Sequence, residues 1–304
     1  MSLPSTQVLL STYNGAAFLE PLLESVFGQR GVRASILARD DGSSDATGSI
    51  LQRHARSGPL VYYQGAHLRA AASFLDLLGR ADPTFDTFAF CDQDDVWLPE
   101  KLGRAVERLA TVAAGTPALY CGRLMLVDEA LAPLTLTPLP RRGPSFENAL
   151  VENIAAGCTI VLNGLARELL TRKLPDWLVA HDWWAYLVVS AFGAVLYDEQ
   201  PTVLYRQHRA NAVGASPSLA GNLARRLRKF RRNRAEMAVF RQARSFHRLF
   251  ASQLDPRRAL LLERFLKRHE SRRASVGYAV RPDVFRQTVV DDAIMRTLIA
   301  LRLM

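Results

Sequence analysis

Short apolar runs alternate with amphipathic stretches through the first part of the chain. Residues 7–11 (QVLLS) form such a run, closed by the turn signal Thr12-Tyr13-Asn14-Gly15; Phe18, Leu19, Leu22, Leu23, Val26 and Phe27 then recur at helical spacing. The unit repeats. Residues 34–39 lead into Asp40-Asp41-Gly42-Ser43-Ser44-Asp45 and a helix through Ile50, Leu51 and His54, and residues 60–63 lead into a helix carrying Ala72, Phe74, Leu75, Leu77 and Leu78. Strands alternating with helices predict an α/β fold with a mainly parallel central sheet covered on both faces. Ligands of such sheets bind at the carboxyl ends of the strands. The polar clusters at 11–15, 40–45 and 92–95 all fall at those ends, so three separate stretches are expected to converge on one crevice.

Further along, Pro99 opens a helix with apolar positions at Leu102, Val106 and Leu109, proline suiting a first turn. Residues 118–127 read as one strand. Residues 132–144 hold Pro133, Pro138, Pro140 and Pro144 and read as an irregular surface loop over the site. Residues 157–162 resume as a strand, Asn163 and Gly164 precede a helix ending near Lys173, and 195–197 and 202–205 are late strands.

The densest chemistry lies in residues 88–98, FAFCDQDDVWL, where a buried run ends in Asp92, Gln93, Asp94 and Asp95. Packed carboxylates repel one another and lose solvation, a penalty that a bound cation removes. Mg²⁺ or Mn²⁺ is held by one or two carboxylates while substrate phosphates complete the shell. The stretch is therefore either a solvated acidic loop or a metal and diphosphate site. Asp182 stands at the start of an apolar helix, where a helix N-cap and a catalytic carboxylate are both open and compatible. Trp183 and Trp184 are core residues or a platform for a sugar ring. His208, delivered by the last strand, is a structural group or a ligand.

Composition narrows the classes. The 304 residues suit one large domain or a domain with an appendage, and no apolar run is long enough to span a bilayer. Without a secretory pattern at residues 1–11 the expected location is cytoplasmic. Cys91, Cys121 and Cys158 are scattered among apolar neighbours and read as reduced, buried thiols. Residues 221–304 hold 21 Lys and Arg against 7 Asp and Glu, while residues 1–220 hold 18 against 22. The net charge of +10 thus belongs to the C-terminal part, and points to a separate element with an anionic partner, lipid or nucleic acid. Two units are expected, residues 1–215 and a basic helical extension over 216–304. From Leu219, apolar residues recur every three to four positions among Arg225, Arg226, Arg228, Lys229, Arg231, Arg232 and Arg234. This helix either packs back with a solvated arginine face or lies on an anionic membrane surface.

STYNG (11–15), RDDGSSD (39–45), CDQDDVW (91–97), AAGCT (155–159), HDWW (181–184) and YRQH (205–208), in this order, resemble the family 2 glycosyltransferases, and more narrowly their bacterial rhamnosyltransferase-like branch. The resemblance spans residues 7–208. It implies an A-type glycosyltransferase fold, a divalent cation, a dTDP- or UDP-linked sugar donor with L-rhamnose as the sugar of that branch, and a polysaccharide or lipid-linked glycan acceptor. It also implies enzymes of cell-envelope polysaccharide synthesis, peripheral on the inner face of the membrane. By position, Ser11 and Thr12, with Tyr13 and Asn14 of the same loop, and Asp41 would contact the nucleotide. Asp92 and Gln93 would approach ribose and metal, Asp94 would be the principal metal ligand, His208 would reach the metal or diphosphate, and Asp182 would be the general base. Where the family commonly shows Asn-x-Gly after the third strand, this chain has His67-Leu68-Arg69, so Arg69 either projects a cation to the diphosphate or marks a rebuilt loop.

The rival classes are a nucleic-acid-binding protein, given the pI near 10, and another metal-dependent nucleotide enzyme such as a nucleotidyltransferase or phosphatase. Against the first, few aromatics interleave the basic run and the acidic crevice repels a phosphate backbone. Against the second, no Gly-rich phosphate loop or nucleophile elbow is present.

Overall fold

The computed structural model of the chain describes residues 2–207 and 237–304. Four strands, β1 (Ser5–Thr12), β2 (Arg33–Asp40), β3 (Leu60–Gln64) and β4 (Thr87–Asp92), are joined by α1 (Ala16–Phe27), α2 (Thr47–Ser57) and α3 (Arg69–Arg80). Then come β5 (Val96–Trp97), α4 (Lys101–Leu109), β6 (Ala118–Gly122), β7 (Met125–Val127), β8 (Pro133–Leu136) and the single turn α5 (Phe146–Ala149). β9 (Val161–Asn163), α6 (Gly164–Arg172), α7 (His181–Phe192), β10 (Ala194–Asp198) and β11 (Val203–Arg206) complete the first described stretch. The central sheet has the order β10-β6-β9-β4-β1-β2-β3, parallel except for β9, which runs antiparallel to β4 and β6. The register sets Ser11 between Arg39 and Asp92, which brings the three polar clusters to one edge.

Alternation along the strands feeds two cores. Val8 and Leu10, with Ile36 and Ala38, face Leu19, Leu22 and Leu23 of α1, Leu51 of α2 and Leu102 of α4. Leu9, Leu37, Phe88 and Phe90 face the other way, onto Phe74 and Leu77 of α3 and the buried, mostly apolar α7. The helices α8 (Ala238–Phe250), α9 (Pro256–Lys267), α10 (Arg272–Val280) and α11 (Val289–Ala300) extend this second core, through Phe246, Phe250, Phe265 and Met295.

The structure departs from the sequence expectations where elements are short. Residues 118–127 are two strands: after Gly122 the backbone turns, Arg123 donating its N–H to the Asp198 carbonyl at 2.9 Å, and β7 enters a second sheet of order β5-β11-β7-β8. The proline-rich 132–144 loop contributes β8, which is tolerated because Pro133 opens an edge strand. Residues 157–159 form a 3-10 turn ahead of β9, so the expected strand there is half turn. In the C-terminal part, α9 and α10 are separate helices, each with its own cap: Asp255 accepts from Arg257 and Arg258 N–H, and Ser271 from Ala274 N–H. The boundary at 215/216, His208 and the basic run at 225–234 lie outside the described residues.

Candidate active site

The loops after β1 and β2 are tied to each other and to the 65–69 segment. Thr12 is buried, its hydroxyl donating to the Arg39 carbonyl at 3.2 Å. Ser11 Oγ pairs with Ser73 Oγ at 2.7 Å. Asn14, in the left-handed region at φ 48°, accepts from Ser44 N–H at 2.8 Å and donates its own N–H to Ser43 Oγ at 2.8 Å. Gln93 clamps Tyr13 from across the crevice, accepting its N–H at 2.8 Å and donating to its carbonyl at 3.1 Å. Gly15 is needed under that clamp, since a Cβ there would stand 2.2 Å from Gln93 Oε1.

Asp41 is buried and fully engaged. Its carboxylate accepts from Leu68 N–H at 2.9 Å, from Arg69 N–H at 2.9 Å and from the Arg39 guanidinium, with His67 Nδ1 3.1 Å away. Burial alone would raise its pKa, but the Leu68 N–H, Arg39 and the Arg69 N–H outweigh that and hold it below the usual carboxylate range. Arg39 also reaches Asp76 at 3.2 Å and the Ala66 carbonyl at 2.8 Å, and Asp76 accepts from Tyr63 OH at 2.7 Å. In the departure from the family pattern, Arg69 is exposed at φ 65° and supplies the backbone N–H that holds Asp41. The His67 ring packs on Tyr13 at 4.4 Å between centroids.

Across the crevice the polar groups are less satisfied. Asp92, Asp95 and Cys158 bring their ligand atoms within 4.8 Å of one another. Asp95 is buried; one oxygen accepts from Arg206 N–H at 3.3 Å and Oδ2 has no hydrogen-bond partner among the described residues. Burial pushes the Asp95 pKa well up, and Asp92 and Asp94 push it further. Asp92 is raised to about 7 by burial, then by the charges of Asp94 and Asp182. Carboxylates crowded in this way, one with an orphaned oxygen, fit a hard divalent cation. The Cys158 thiol, pushed well up by burial, stays protonated and does not compete as a thiolate.

Asp182 sits on the first turn of α7, but Ala180 is the N-cap residue and makes no side-chain cap, so the capping alternative falls away. One Asp182 oxygen accepts the following N–H, of Trp183, at 2.6 Å. Burial raises its pKa to about 6, against hydrogen bonds from Trp183, Asn153 and Gly157 that lower it. Gly157 permits this approach, because a Cβ there would lie 2.9 Å from His181 Nε2. His181 stacks on Phe74 at 3.9 Å and meets Phe90 edge-on; burial drops its pKa to about 3, and Nε2 has no hydrogen-bond partner among the described residues. Trp183 and Trp184 are both core residues, Trp183 donating to the Ala149 carbonyl at 2.6 Å, which removes the sugar-platform alternative.

The structure thus brings Ser11, Thr12, Tyr13, Asn14, Asp41, Arg69, Asp92, Gln93, Asp94 and Asp182 to one edge of the sheet. The converging donor set includes Asp95 in place of Asp94, whose carbonyl accepts from Arg206 Nε at 3.0 Å. Arg39 and Arg206 are organising residues that the residue-by-residue reading passed over. Both lie inside quoted motifs, RDDGSSD and YRQH, and both are buried arginines, a signal that appears only once burial is known.

A mainly parallel sheet with helices on both faces, carboxylates gathered at the end of β4 and a further carboxylate on the facing helix define an A-type glycosyltransferase fold. Residues 7–156 match the model of glycosyl transferase family 2, and this part of the chain is a domain of that family. A dTDP-rhamnosyl transferase, RfbG of Shigella flexneri, is 28% identical over 237 residues, 71% of this chain and 77% of that one. Among solved structures, Staphylococcus aureus TarS in complex with UDP superposes with a TM-score of 0.59 at 13% identity, over 91% of this chain and 75% of that one. The mannosyltransferase PcManGT of Pyrobaculum calidifontis, in complex with GDP-Man and Mn²⁺, does so with a TM-score of 0.56 at 20% identity, over 100% of this chain and 81% of that one. Those two likenesses concern the fold. The chain is a glycosyltransferase of the rhamnosyltransferase-like kind that uses a nucleotide sugar.

Proposed function

We propose that the enzyme is an inverting, metal-assisted transferase that moves a sugar, L-rhamnose by its likeness to RfbG, from a dTDP- or UDP-linked donor to a hydroxyl of a polysaccharide or lipid-linked glycan. The observation that carries this is the placement of Asp182, a carboxylate with a raised pKa, opposite an acidic cluster in which burial and mutual repulsion raise Asp92 and Asp95. The loops after β1 and β2 seat the nucleoside, Ser11, Tyr13 and Asn14 at the rim and Gln93 holding the rim in shape. Asp41 reaches the base only if Leu68 or Arg69 yields one of its hydrogen bonds, so binding on this side begins with a shift of residues 67–69.

Asp92 and Asp94, with Asp95 behind them and His208 from beyond the described residues, would hold Mg²⁺ or Mn²⁺. When bound, such an ion acts as a Lewis acid that stabilises charge on the departing diphosphate. Asp182 takes the proton of the acceptor hydroxyl as its oxygen attacks the anomeric carbon from the face opposite the leaving group. Its carboxylate is kept basic by burial and oriented by Trp183 N–H. Release of nucleoside diphosphate, screened over dTDP-rhamnose, UDP-sugars and GDP-mannose with Mn²⁺, tests the reading. Turnover is expected with dTDP-rhamnose foremost, and turnover with GDP-mannose alone would overturn the donor assignment.

The catalytic unit in this reading is residues 1–215, with 216–304 as its helical extension. The basic excess of that extension favours an anionic membrane surface as its partner. Co-sedimentation with vesicles that depends on anionic lipid is the expected result; the same sedimentation with neutral vesicles would remove the electrostatic attachment.

A further inference from the structure

Lys101, the first residue of α4, is 0% exposed, and its ammonium has no hydrogen-bond partner among the described residues. Nζ stands 3.1 Å from the centroid of the Trp97 ring, a cation–π contact with the residue that closes the acidic motif. The ionisable groups that act on it are Cys91, Cys158 and Asp95, two of which, Cys158 and Asp95, belong to the converging donor set, so the buried cation acts on the carboxylate cluster. Burial lowers its pKa to about 8, the three neighbours opposing that shift, and it is mainly charged at neutral pH. A buried ammonium with no hydrogen bond destabilises a fold, and a cation in the first turn of a helix opposes the helix dipole. Packing on Trp97 alone needs only an apolar side chain of the same length, so the charge itself requires a reason.

We propose that Lys101 is a positioning residue whose fixed cation, buried on Trp97 at the end of the acidic motif, repels a divalent ion from the carboxylate cluster, so that the ion is retained only when diphosphate oxygens complete its shell. The inference rests on the metal reading above and adds to it how the ion leaves with the product. A cluster left to its carboxylates alone would hold the ion between turnovers. With a buried cation acting on it, affinity depends on the anionic ligand arriving from the crevice.

The test is Lys101→Met in the full chain, read by electron paramagnetic titration of free Mn²⁺ without nucleotide and by thermal melting without metal. Mn²⁺ is expected to bind at least about tenfold tighter than to the wild type, since a unit charge opposes a divalent ion with twice the energy of a singly charged one at the same distance. The melting temperature is expected to rise, because the unpartnered ammonium is gone. Lys101→Arg, which keeps the charge, is expected to keep wild-type Mn²⁺ affinity. Unchanged or weaker Mn²⁺ binding in Lys101→Met, or a variant that melts lower or fails to fold, would overturn the inference while leaving a wild-type metal site in place. A wild-type chain that binds no Mn²⁺ with or without nucleoside diphosphate would overturn the metal reading and this inference together.

Discussion

At the ends of β1 and β2, Asp41 accepts from two backbone N–H groups and a guanidinium, Asn14 and Gln93 bind backbone on both sides of their loops, and Arg39 spans four partners. At the end of β4 and the starts of α4 and α7, one Asp95 oxygen, Lys101 Nζ and His181 Nε2 have no hydrogen-bond partner among the described residues, and Asp92 and Asp182 have pKa values raised to about 7 and about 6. The first region is a finished frame, stable without ligand. The second is a set of polar groups whose solvation was removed and not fully replaced, the arrangement in which an arriving charge gains most. A nucleotide sugar therefore meets a shaped rim on one side and an incomplete electrostatic site on the other.

The largest expected effect breaks the second region. Asp182→Asn should lower transfer by about 10²–10⁴-fold, the usual contribution of a general base, while nucleoside diphosphate binding measured by calorimetry survives. Transfer at a comparable rate would remove the base from Asp182. Arg39→Met attacks the first region instead. It strands Asp41 in a buried position and should cost about 3–5 kcal/mol of stability in a denaturant titration, since breaking a buried pair leaves a charge uncompensated. A loss no larger than that of an exposed arginine would show that the frame does not depend on it.

Asp94→Ala should weaken Mn²⁺-dependent diphosphate binding by about two orders of magnitude, with little change in melting temperature. A full effect at Asp92 or Asp95 and none at Asp94 would shift the principal ligand to the set that converges in the structure. The smallest effect is on the pH profile. Asp182, raised from 3.8 to about 6, is protonated below that pH, so transfer should fall about tenfold per unit on the acid side. A carboxyl with a raised folded pKa contributes stability at low pH and loses it as pH rises through about 6, so this group predicts falling activity without falling melting temperature. A rate flat down to pH 5 would contradict the assignment.

The frame was legible from the pattern because β1, β2 and β4 are long enough to show a period and end in glycine, asparagine and aspartate turns. The second sheet was not, since β5, β7, β8 and β11 are two to four residues each and carry no period. Asp92, Asp94 and Asp182 could be singled out as carboxylates in a suggestive context. The roles of Asp95 and Cys158 could not: adjacent aspartates look alike in sequence, and Cys158 reaches the cluster only through the 3-10 turn at 157–159. Lys101 reads as an ordinary polar position on an amphipathic helix until its burial is seen.

The central claim is that the carboxylate region is completed by a divalent ion together with a pyrimidine nucleoside diphosphate. Thermal melting of the full chain with UDP, dTDP, GDP and ATP, each with and without Mn²⁺, tests it most directly. UDP or dTDP with Mn²⁺ should raise the melting temperature by several degrees, as a ligand at about a hundred times its Kd stabilises by about 2.7 kcal/mol. Either nucleotide without metal should do much less. Equal stabilisation by all four nucleotides, or none that depends on Mn²⁺, would contradict the account.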